Sequence, residues 1–337
     1  MRLQVLQGPG RLADPAGRTL HYLRLSVTDA CNFRCVYCLP NGYQKGGWNE
    51  EPLSTDEIRH LVSGLAELGV FKVRLTGGEP TVRRDIVEVV RAVAGVPGIR
   101  TVALSTNAWR LRKLAKPLVE AGLHSVNISL DSLDPAAFHQ ITGQDRLHHV
   151  LAGIDAAIAA GLRVKLNAVL LETVLAERPR VLDAFLAYVR TRPVVARFIE
   201  LMRTGGNAAF FERNHVDLEG VRARLLRDGW ELRARRDGDG PAEEYVHPDS
   251  VGGVGLIAPY RKDFCASCNR LRVTSRGELR LCLFGEGNHP LRPLLADASS
   301  RDALVREVQR LTFAKPPAHR LHEGRTGGAL NLSLMGG

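Results

Sequence analysis

Short apolar runs rich in β-branched residues alternate with helical runs from residue 23 to about residue 202. This alternation is typical of βα units, whose strands lie parallel in one sheet. The candidate strands are residues 23–27, 72–77, 101–107, 125–131, 163–171 and 196–202. Six such units predict an α/β fold built on a partial (βα)6 barrel of the TIM type.

The helix between the first two strands has clear signals at both ends. Ser54 is followed three residues later by Glu57, which predicts a capping box at its start. Gly69 is predicted to end it. Between them runs one apolar stripe, formed by Ile58, Leu61, Val62, Leu65 and Leu68.

Beyond residue 230 the chain changes character. A turn-rich stretch, RDGDGPAEEYVHP, is followed by GVGLIAPY and then by LRVTSRGELRLCLF, which predicts a hairpin turning at Arg276 and Gly277. We therefore predict a barrel over residues 1–229. A smaller α+β subdomain over residues 230–337 is expected to close it.

Length and composition limit the class of protein. With 337 residues and 45% apolar content, the chain can bury a substantial core. It contains no run of eighteen apolar residues, and its first twenty residues lack the order of a signal peptide, so we expect a cytoplasmic protein without membrane contact. Six cysteines in two groups of three then favour metal or redox chemistry over disulfides.

The formal net charge of +10 comes from 39 arginines and only 7 lysines against 36 acidic residues. Such a charge fits a polyanionic partner, a surface that holds phosphates, or an arginine-rich codon bias, so it does not decide the function. The chain has no G-x4-G-K-[ST] motif. Side-chain charge, above all arginine, would therefore have to hold a triphosphate.

The first cysteine group, Cys31, Cys35 and Cys38, directly follows the first strand. In a barrel of this type that loop lies at the face where active sites are built. Three thiolates around an iron–sulfur cluster leave one iron open to another ligand, whereas structural zinc normally has four protein ligands. From spacing alone, zinc with His60 or another distant residue as the fourth ligand remains an alternative.

The second group, Cys265, Cys268 and Cys282, has the spacing C-x2-C-x13-C. A zinc ribbon that is completed by Asp263 or His289, or that has lost its fourth cysteine, remains open for this group. A basic, zinc-stabilised nucleic-acid-binding protein remains open for the whole chain. Arg270 and Arg272 alternate on the hairpin strand and hence share a face, which suits either phosphate binding or plain solvation.

The motif C-x3-C-x2-C, with an aromatic residue before the last cysteine, resembles the signature of the radical S-adenosylmethionine (SAM) enzymes. The turn TGGEP at residues 76–80, one βα unit later, resembles the turn with which that family holds SAM. Nearly the whole chain resembles the GTP 3′,8-cyclase family of molybdenum cofactor biosynthesis. The resemblance is carried by LRLSVTDACNFRCVYC, VRLTGGEP, LSTN, NISLD, RFIELM, CASCNRLR and the final Gly-Gly.

This resemblance implies two [4Fe-4S] clusters, each held by three cysteines. SAM is expected on the first cluster and the guanine of GTP on the second. A 5′-deoxyadenosyl radical would remove the ribose C3′ hydrogen, and C3′ would bond to C8 to give 3′,8-cyclo-7,8-dihydro-GTP. The expected partners are an electron donor and a cyclic pyranopterin monophosphate synthase, without nucleic acid, and the chain is expected as a monomer or homodimer.

The resemblance also assigns site residues. The expected SAM contacts are Tyr37, Gly78, Ser129 and Met202. The expected GTP contacts are Arg24, Arg74, Ser105, Lys165, Arg270, Leu271 and Arg272, with Lys72 and Arg197 as further candidates. The tail, Gly336 and Gly337, is expected to enter the cavity and to be needed for turnover. Core packing remains an alternative for Met202.

Three positions depart from the family pattern: Ala30 stands in place of a frequent arginine, Ser105 in place of threonine, and Ala108 in place of glycine. Alanine disfavours the left-handed region, so Ala108 predicts a backbone with negative φ. Asn107, Asp131 and Asn167 lie near strand ends, where they serve equally well as caps or turns. A radical SAM enzyme that modifies peptides is the rival enzyme class.

Overall fold

The computed structural model describes residues 11–44, 51–235 and 239–328. Its strands are β1 (Tyr22–Ser26), β2 (Lys72–Thr76), β3 (Thr101–Thr106), β4 (Ser125–Ser129), β5 (Arg163–Leu170), β6 (Val194–Glu200), β7 (Glu231–Leu232), β8 (Glu243–Val246), β9 (Gly253–Ile257), β10 (Arg270–Val273), β11 (Glu278–Arg280) and β12 (His289–Pro290). Its helices are α1 (Thr55–Glu67), α2 (Ile86–Ala94), α3 (Leu111–Glu120), α4 (Pro135–Thr142), α5 (Leu147–Ala159), α6 (Glu172–Glu177), α7 (Val181–Thr191), α8 (Ala208–Asn214), α9 (Glu219–Arg227) and α10 (Arg301–Thr312).

All of these strands belong to one sheet, in the order β12-β11-β10-β1-β2-β3-β4-β5-β6-β9-β8-β7. Strands β1 to β6 are parallel neighbours, which confirms the predicted α/β fold and partial barrel. The C-terminal part of the chain pairs with both edges of this set, because β10 lies parallel to β1 and β9 lies parallel to β6. The boundary placed at residue 229 remains a prediction.

Helix α1 begins as predicted. The Ser54 hydroxyl accepts a hydrogen bond from the Glu57 N–H at 3.1 Å, and the Glu57 carboxylate accepts one from the Ser54 N–H at 2.8 Å. Gly69 follows the helix with φ of 85°. The predicted stripe is buried against the core.

The hairpin of β10 and β11 also forms where it was predicted. Arg272 pairs with Arg280 across it, and the Gly277 N–H donates to the Thr274 carbonyl at 3.0 Å. The turn is tied to the first cysteine loop, since the Asp29 carboxylate accepts from the Ser275 hydroxyl at 2.6 Å and pairs with Arg276 at 2.7 Å.

A second tie joins the N-terminal segment to the C-terminal loops. Arg18 is buried and pairs with Asp14 at 2.6 Å. Its guanidinium also donates to the carbonyls of Cys265, Pro316 and Pro317 at 3.0, 2.7 and 2.6 Å. A buried guanidinium with so many partners fixes both segments relative to each other.

Among the described helices, none is long and apolar enough to cross a membrane.

The predicted backbone at Ala108 is wrong. Its φ is +61°, so the residue adopts the left-handed conformation. Two hydrogen bonds require this turn: the Asn107 N–H donates to the Glu79 carboxylate at 2.6 Å, and the Ala108 N–H donates to the Thr106 hydroxyl at 3.0 Å. The Ala108 methyl group is fully buried.

Candidate active site

An open cavity of about 310 Å³ lies inside the barrel, and both cysteine groups line it. The first group comes from the loop after β1, at the carboxyl end of the parallel strands, as predicted. The second group comes from the segment before β10 and from the residues after β11. The sheet therefore brings together two cysteine triplets that are separated by more than two hundred residues.

The first cysteine loop is fixed by backbone hydrogen bonds to the end of α4. The Arg34 N–H donates to the Thr142 carbonyl at 3.2 Å, and the Val36 N–H donates to the Ile141 carbonyl at 3.0 Å. Burial raises the pKa of Cys31 to about 11 and that of Cys35 well above its usual range. Without a cationic ligand such thiols stay protonated, so binding of iron must supply the charge that ionises them.

The TGGEP turn packs directly on this loop. The Gly78 and Glu79 N–H groups donate to the Thr28 and Ala30 carbonyls, both at 2.8 Å. Gly77 has φ of 146°, and a Cβ placed there would lie 2.2 Å from the Thr28 carbonyl oxygen. Only glycine therefore allows the two loops to approach this closely.

Glu79 ties the same turn to the end of β3. Its carboxylate is buried and accepts from the hydroxyls of Thr81 and Thr106, both at 2.6 Å, and from the Asn107 N–H at 2.6 Å. The Asn107 amide in turn donates to the Asn32 side chain at 2.8 Å, within the cysteine loop. Burial raises the pKa of Glu79, while these hydrogen bonds oppose that shift.

The second cysteine group lies among cations. Burial opposes ionisation of Cys268, but Arg270 and Lys315 outweigh it and lower its pKa to about 7. Lys315 is itself buried and donates to the carbonyls of Arg270 and Leu281. The two triplets therefore differ at one thiol, because neighbouring cations lower the pKa of Cys268, whereas burial raises the pKa of Cys265 as it does those of Cys31 and Cys35.

The donor set of each triplet fits a cluster with three protein ligands. His60, the alternative ligand of the first group, lies on α1 and hydrogen-bonds to the Leu295 carbonyl at 3.0 Å, so it does not line the cavity. Asp263 is exposed, and His289 lies on β12, also away from the lining.

Three arginines form a row across neighbouring strands. Arg24 on β1 pairs in register with Arg272 on β10 and with Arg74 on β2. All three line the cavity, where burial lowers the pKa of Arg24 to about 10 and that of Arg272 well below its usual range. The fold thus holds several buried cations close to one another, which is unfavourable unless an anion joins them.

Tyr22 lies beside this row and begins β1, one residue before the predicted start of the strand. Its hydroxyl accepts a hydrogen bond from Arg74 Nε at 2.5 Å, and Lys72 Nζ lies 4.8 Å from the centre of its ring. Burial opposes ionisation of the phenol, but Arg74, Arg24 and Lys72 outweigh it and lower its pKa to about 7. Tyr22 therefore orients Arg74 and partly offsets the local positive charge.

Lys165 and Arg197 extend the basic lining to β5 and β6. Burial, together with Arg197, lowers the pKa of Lys165 to about 8, although its ammonium pairs with Glu244 at 2.7 Å. Arg197 is buried, its pKa is lowered to about 10 by burial, and its Nε and Nη2 atoms have no hydrogen-bond partner among the described residues. Such atoms require a ligand or water.

The expected SAM residues Tyr37, Gly78, Ser129 and Met202 all line the cavity. Tyr37 donates its hydroxyl hydrogen to both oxygens of Asp131, at 3.2 and 3.0 Å. Asp131 also accepts from the Val169 N–H at 2.9 Å, and burial raises its pKa to about 6. Met202 packs against Phe284 and Leu321 as well, so it serves both the cavity and a small apolar cluster.

Of the expected GTP contacts, those that line the cavity are Arg24, Arg74, Ser105, Lys165, Arg270 and Arg272, together with the candidates Lys72 and Arg197. Leu271 is different: its side chain alternates with its neighbours on β10 and lies fully buried in the hydrophobic core. Only its backbone is left for a contact with a ligand. Gly336 and Gly337 lie outside the described residues.

Several residues that line the cavity were not predicted from the sequence. Tyr22 precedes Arg24 by two residues, and strand alternation could have placed both on one face. Asp131 was left as a cap or turn, and Glu79 as part of a loop. Lys315 and His319 carry no local signal, because they reach the cavity only through the fold of the C-terminal segment.

Comparisons with known proteins agree with this site. Residues 25–185 match the family model of the radical SAM superfamily, and residues 194–321 match that named Molybdenum Cofactor Synthesis C. A GTP 3′,8-cyclase of Aeromonas hydrophila is 50% identical over 97% of this chain and 96% of its own length. A GTP 3′,8-cyclase of Cronobacter sakazakii is also 50% identical, over 97% of this chain and 99% of its own length. The chain belongs to the GTP 3′,8-cyclase family.

Solved structures support the fold of this family member. Streptococcus suis SuiB bound to S-adenosylmethionine superimposes with a TM-score of 0.60 at 14% identity, covering 87% of this chain and 68% of that one. Histidine-tagged anSMEcpe with bound AdoMet gives a TM-score of 0.53 at 14% identity, covering 87% of this chain and 83% of that one. At such low identity these likenesses establish the shared fold and nothing further.

Proposed function

We propose that this protein converts GTP to 3′,8-cyclo-7,8-dihydro-GTP in an early step of molybdenum cofactor biosynthesis. One observation carries the proposal: both cysteine triplets and the row of arginines line a single cavity. When bound, the first cluster and SAM would supply the radical that removes the ribose C3′ hydrogen, and C3′ would then bond to guanine C8. The residues of the chain bind and orient the two substrates.

The triphosphate would lie against the basic wall of the cavity. Arg24, Arg74 and Arg272 present planar guanidiniums that suit phosphate oxygens, and burial strengthens such contacts. Lys165 and Arg197 face the same space from β5 and β6, and the buried Arg197 atoms without a partner would gain one. An anion there would relieve the repulsion among these cations.

SAM would lie at the opposite end, beside the first triplet. Tyr37, held by Asp131, and Gly78, held against the cysteine loop, would fix its position, with Ser129 and Met202 at its other side. The second triplet would hold the second [4Fe-4S] cluster and the guanine base. We propose two clusters rather than one because a second cysteine triplet lines the same cavity.

The C-terminal tail would enter the same cavity. The last described residues approach it: the Gly328 N–H donates to the Gly285 carbonyl at 3.3 Å, close to Cys282. Gly327 has φ of 55°, and a Cβ there would lie 2.4 Å from the Phe284 carbonyl oxygen. Gly336 and Gly337 follow nine residues later, so they can reach the second cluster.

The proposed product would be taken up by a cyclic pyranopterin monophosphate synthase, and a reduced electron donor would be needed for each turnover. An anaerobic assay with GTP, SAM and dithionite tests the function. Mass spectrometry should find the cyclised nucleotide, and the reconstituted protein should hold about eight irons per chain. Zinc in place of iron at either triplet, or a modified peptide as the product, would contradict the proposal.

A further inference from the structure

We propose that Asn127 binds a ribose hydroxyl of GTP and thereby selects ribonucleotides over their deoxy analogues. The inference rests on the proposed function, because it takes GTP as a ligand of the cavity. It adds a contact to the sugar, the part of GTP for which no residue has been named. The group that Asn127 recognises is one hydroxyl of the vicinal diol at C2′ and C3′.

Asn127 lies in the middle of β4 and turns its side chain into the cavity. Its neighbours Val126 and Ile128 are fully buried in the hydrophobic core, so strand alternation directs Asn127 to the opposite face of the sheet. Asn127 lines the cavity and is only 5% exposed. Its amide is therefore part of the cavity wall and not a solvated surface group.

The side-chain oxygen of Asn127 is buried and receives no hydrogen bond from any described residue. Among the described asparagines, only Asn167 shares this feature. The buried Asn207, in contrast, has an oxygen that accepts from the Thr204 N–H at 2.7 Å. A buried acceptor without a donor is unfavourable, so the Asn127 oxygen requires a ligand or a water molecule that donates a hydrogen bond.

The neighbours of Asn127 in the sheet indicate which part of a ligand meets it. Asn127 pairs in register with Ser105 on β3 and with Lys165 on β5, and both are expected GTP contacts. Ser129, two residues further along β4, is an expected SAM contact. Neighbouring strands are about 4.8 Å apart, so one small group can reach all of these side chains. Asn127 therefore lies at the boundary between the two substrates.

The chemistry of the unpaired oxygen selects the ribose among the parts of GTP. An amide oxygen only accepts hydrogen bonds, so ionised phosphate oxygens, which are acceptors too, do not fit it. Lys165, the cation next to it in register, is already paired with Glu244 at 2.7 Å. The guanine N–H groups are expected at the second triplet beside β10, and three strands separate β10 from β4. The ribose hydroxyls are the donors of GTP that remain.

The proposed reaction also requires the ribose at this boundary. C3′ has to face the bound SAM, whereas the triphosphate has to reach Arg24, Arg74 and Arg272 on other strands. A hydroxyl bound by Asn127 would fix the rotation of the sugar between these two ends. Asn127 therefore acts by binding and orienting the substrate, and no bond is made to it and no proton is transferred to it.

The test measures Kd by anaerobic isothermal titration calorimetry of the cluster-loaded protein with GTP, 2′-deoxy-GTP and 3′-deoxy-GTP. The native protein should bind GTP about tenfold or more tightly than the analogue that lacks the bound hydroxyl, because that analogue leaves the Asn127 oxygen unpaired. In N127A this preference should fall to within about twofold, because the partner of the hydroxyl is gone. N127D keeps an acceptor, so it should keep the preference while its charge weakens the binding of all three nucleotides.

Two control variants separate this contact from a structural effect. Asn167 also has a buried oxygen without a partner, but it lies on β5 opposite Ser129, so N167A should keep the preference for GTP. Asn214 lies on α8 away from the cavity lining, and its oxygen accepts from the Thr173 hydroxyl at 2.6 Å. N214A should therefore keep the preference and lower the urea midpoint of unfolding more than N127A does, because the Asn127 oxygen has no hydrogen bond to lose.

Several outcomes would overturn the proposal. They are a native preference below about twofold for both analogues, an unchanged preference in N127A, or an equal loss in N167A. A raised Kd for SAM in N127A, with the preference for GTP unchanged, would place the ribose of SAM at this amide instead. A preference for GTP over inosine triphosphate that only N127A abolishes would place the guanine amino group there. Failure of the native protein to bind any of these nucleotides would contradict the proposed function itself.

Discussion

Lys165 and Glu244 form an ion pair between the barrel and the C-terminal part of the chain. The Lys165 ammonium lies 2.7 Å from one Glu244 oxygen, and Arg233 donates to the other at 2.8 Å. Burial opposes ionisation of Glu244, but the charge of Lys165 outweighs it and lowers the carboxyl pKa. This carboxylate keeps Lys165 charged at a place where burial and Arg197 favour its loss of a proton.

We predict that E244Q moves the alkaline limb of the kcat/KM profile for GTP to lower pH. A lysine with pKa of about 8 is charged below that pH and loses its charge as the pH rises through it. Without Glu244 this loss occurs earlier, so kcat/KM near pH 8 should fall about three- to tenfold. The measurement is an anaerobic rate profile from about pH 6 to about pH 9.

Glu243 provides the matched control for this variant. It precedes Glu244 on β8 and pairs instead with Arg222 and Arg261, at 2.6 and 2.5 Å. E243Q removes a carboxylate from the same strand without touching Lys165, so its profile should match that of the native protein. Equal shifts in both variants, or none in E244Q, would contradict the role of Glu244. Tyr22 also has a pKa of about 7, because Arg74, Arg24 and Lys72 outweigh the effect of burial. Only the difference between the E244Q and E243Q profiles therefore reports the ionisation of Lys165.

At the scale of elements, the site depends on the contact between two loops. The turn after β2 and the loop after β1 share backbone hydrogen bonds, and Glu79 links both to the end of β3. Glycine at positions 77 and 78 makes this contact sterically accessible. The first triplet is therefore positioned by three successive βα units rather than by the cysteine loop alone.

We predict that G77A loses the first cluster and keeps the second. The added methyl group would lie 2.2 Å from the Thr28 carbonyl oxygen, so the cysteine loop would have to move. Iron after anaerobic reconstitution should fall to about four atoms per chain from about eight. Iron and acid-labile sulfide analysis, combined with urea unfolding, measures both effects.

Gly161 is the control for backbone strain. Its φ of 82° is also positive, but a Cβ there would meet nothing within 4 Å. G161A should therefore cost about 1 kcal/mol of unfolding free energy and retain the full iron content. Full iron in G77A would show that the contact between the loops does not hold the first cluster.

At the scale of the molecule, the C-terminal part of the chain completes the sheet at both edges. Strand β10 covers the edge of β1, and β9 covers the edge of β6. Strand edges left open are prone to pair with other chains. The two cysteine groups face one cavity only because this wrapping brings the chain back to its first strand.

We predict that residues 1–229 alone aggregate or remain unfolded, because β1 and β6 lose their neighbours. Co-expression with residues 230–337 should restore a soluble species. Size-exclusion chromatography and circular dichroism provide the measurement, with the full chain as the reference. A folded monomer of residues 1–229 would mean that the barrel is an independent unit.

We also predict that deleting Gly336 and Gly337 abolishes formation of the cyclised nucleotide. The segment that precedes them approaches the second triplet at Gly327 and Gly328, and the backbone hydrogen bonds described for both cysteine groups are made within residues 11–328. Iron content should therefore be unchanged. Mass spectrometry and iron analysis measure the two quantities, and unchanged turnover would refute the role of the tail.

The sequence by itself determined the features that depend on neighbours along the chain. The six parallel strands, the capping box at Ser54, the hairpin at Gly277 and the position of the first cysteine loop were all predicted from periodicity and turn chemistry. These patterns are local because hydrogen bonds and alternation within an element join residues only a few positions apart. Family resemblance added residues of the site that local patterns could not assign.

Only the tertiary structure decided which distant groups meet. Glu244 reaches Lys165 across 79 positions, and Arg18 reaches Pro316 across 298. The left-handed turn at Ala108 follows from a carboxylate on another loop, and Leu271 lies in the core although it stands between two cavity arginines. Burial and charge in the cavity arise from such long-range contacts, so the pKa values of its residues could not be predicted from the order of residues.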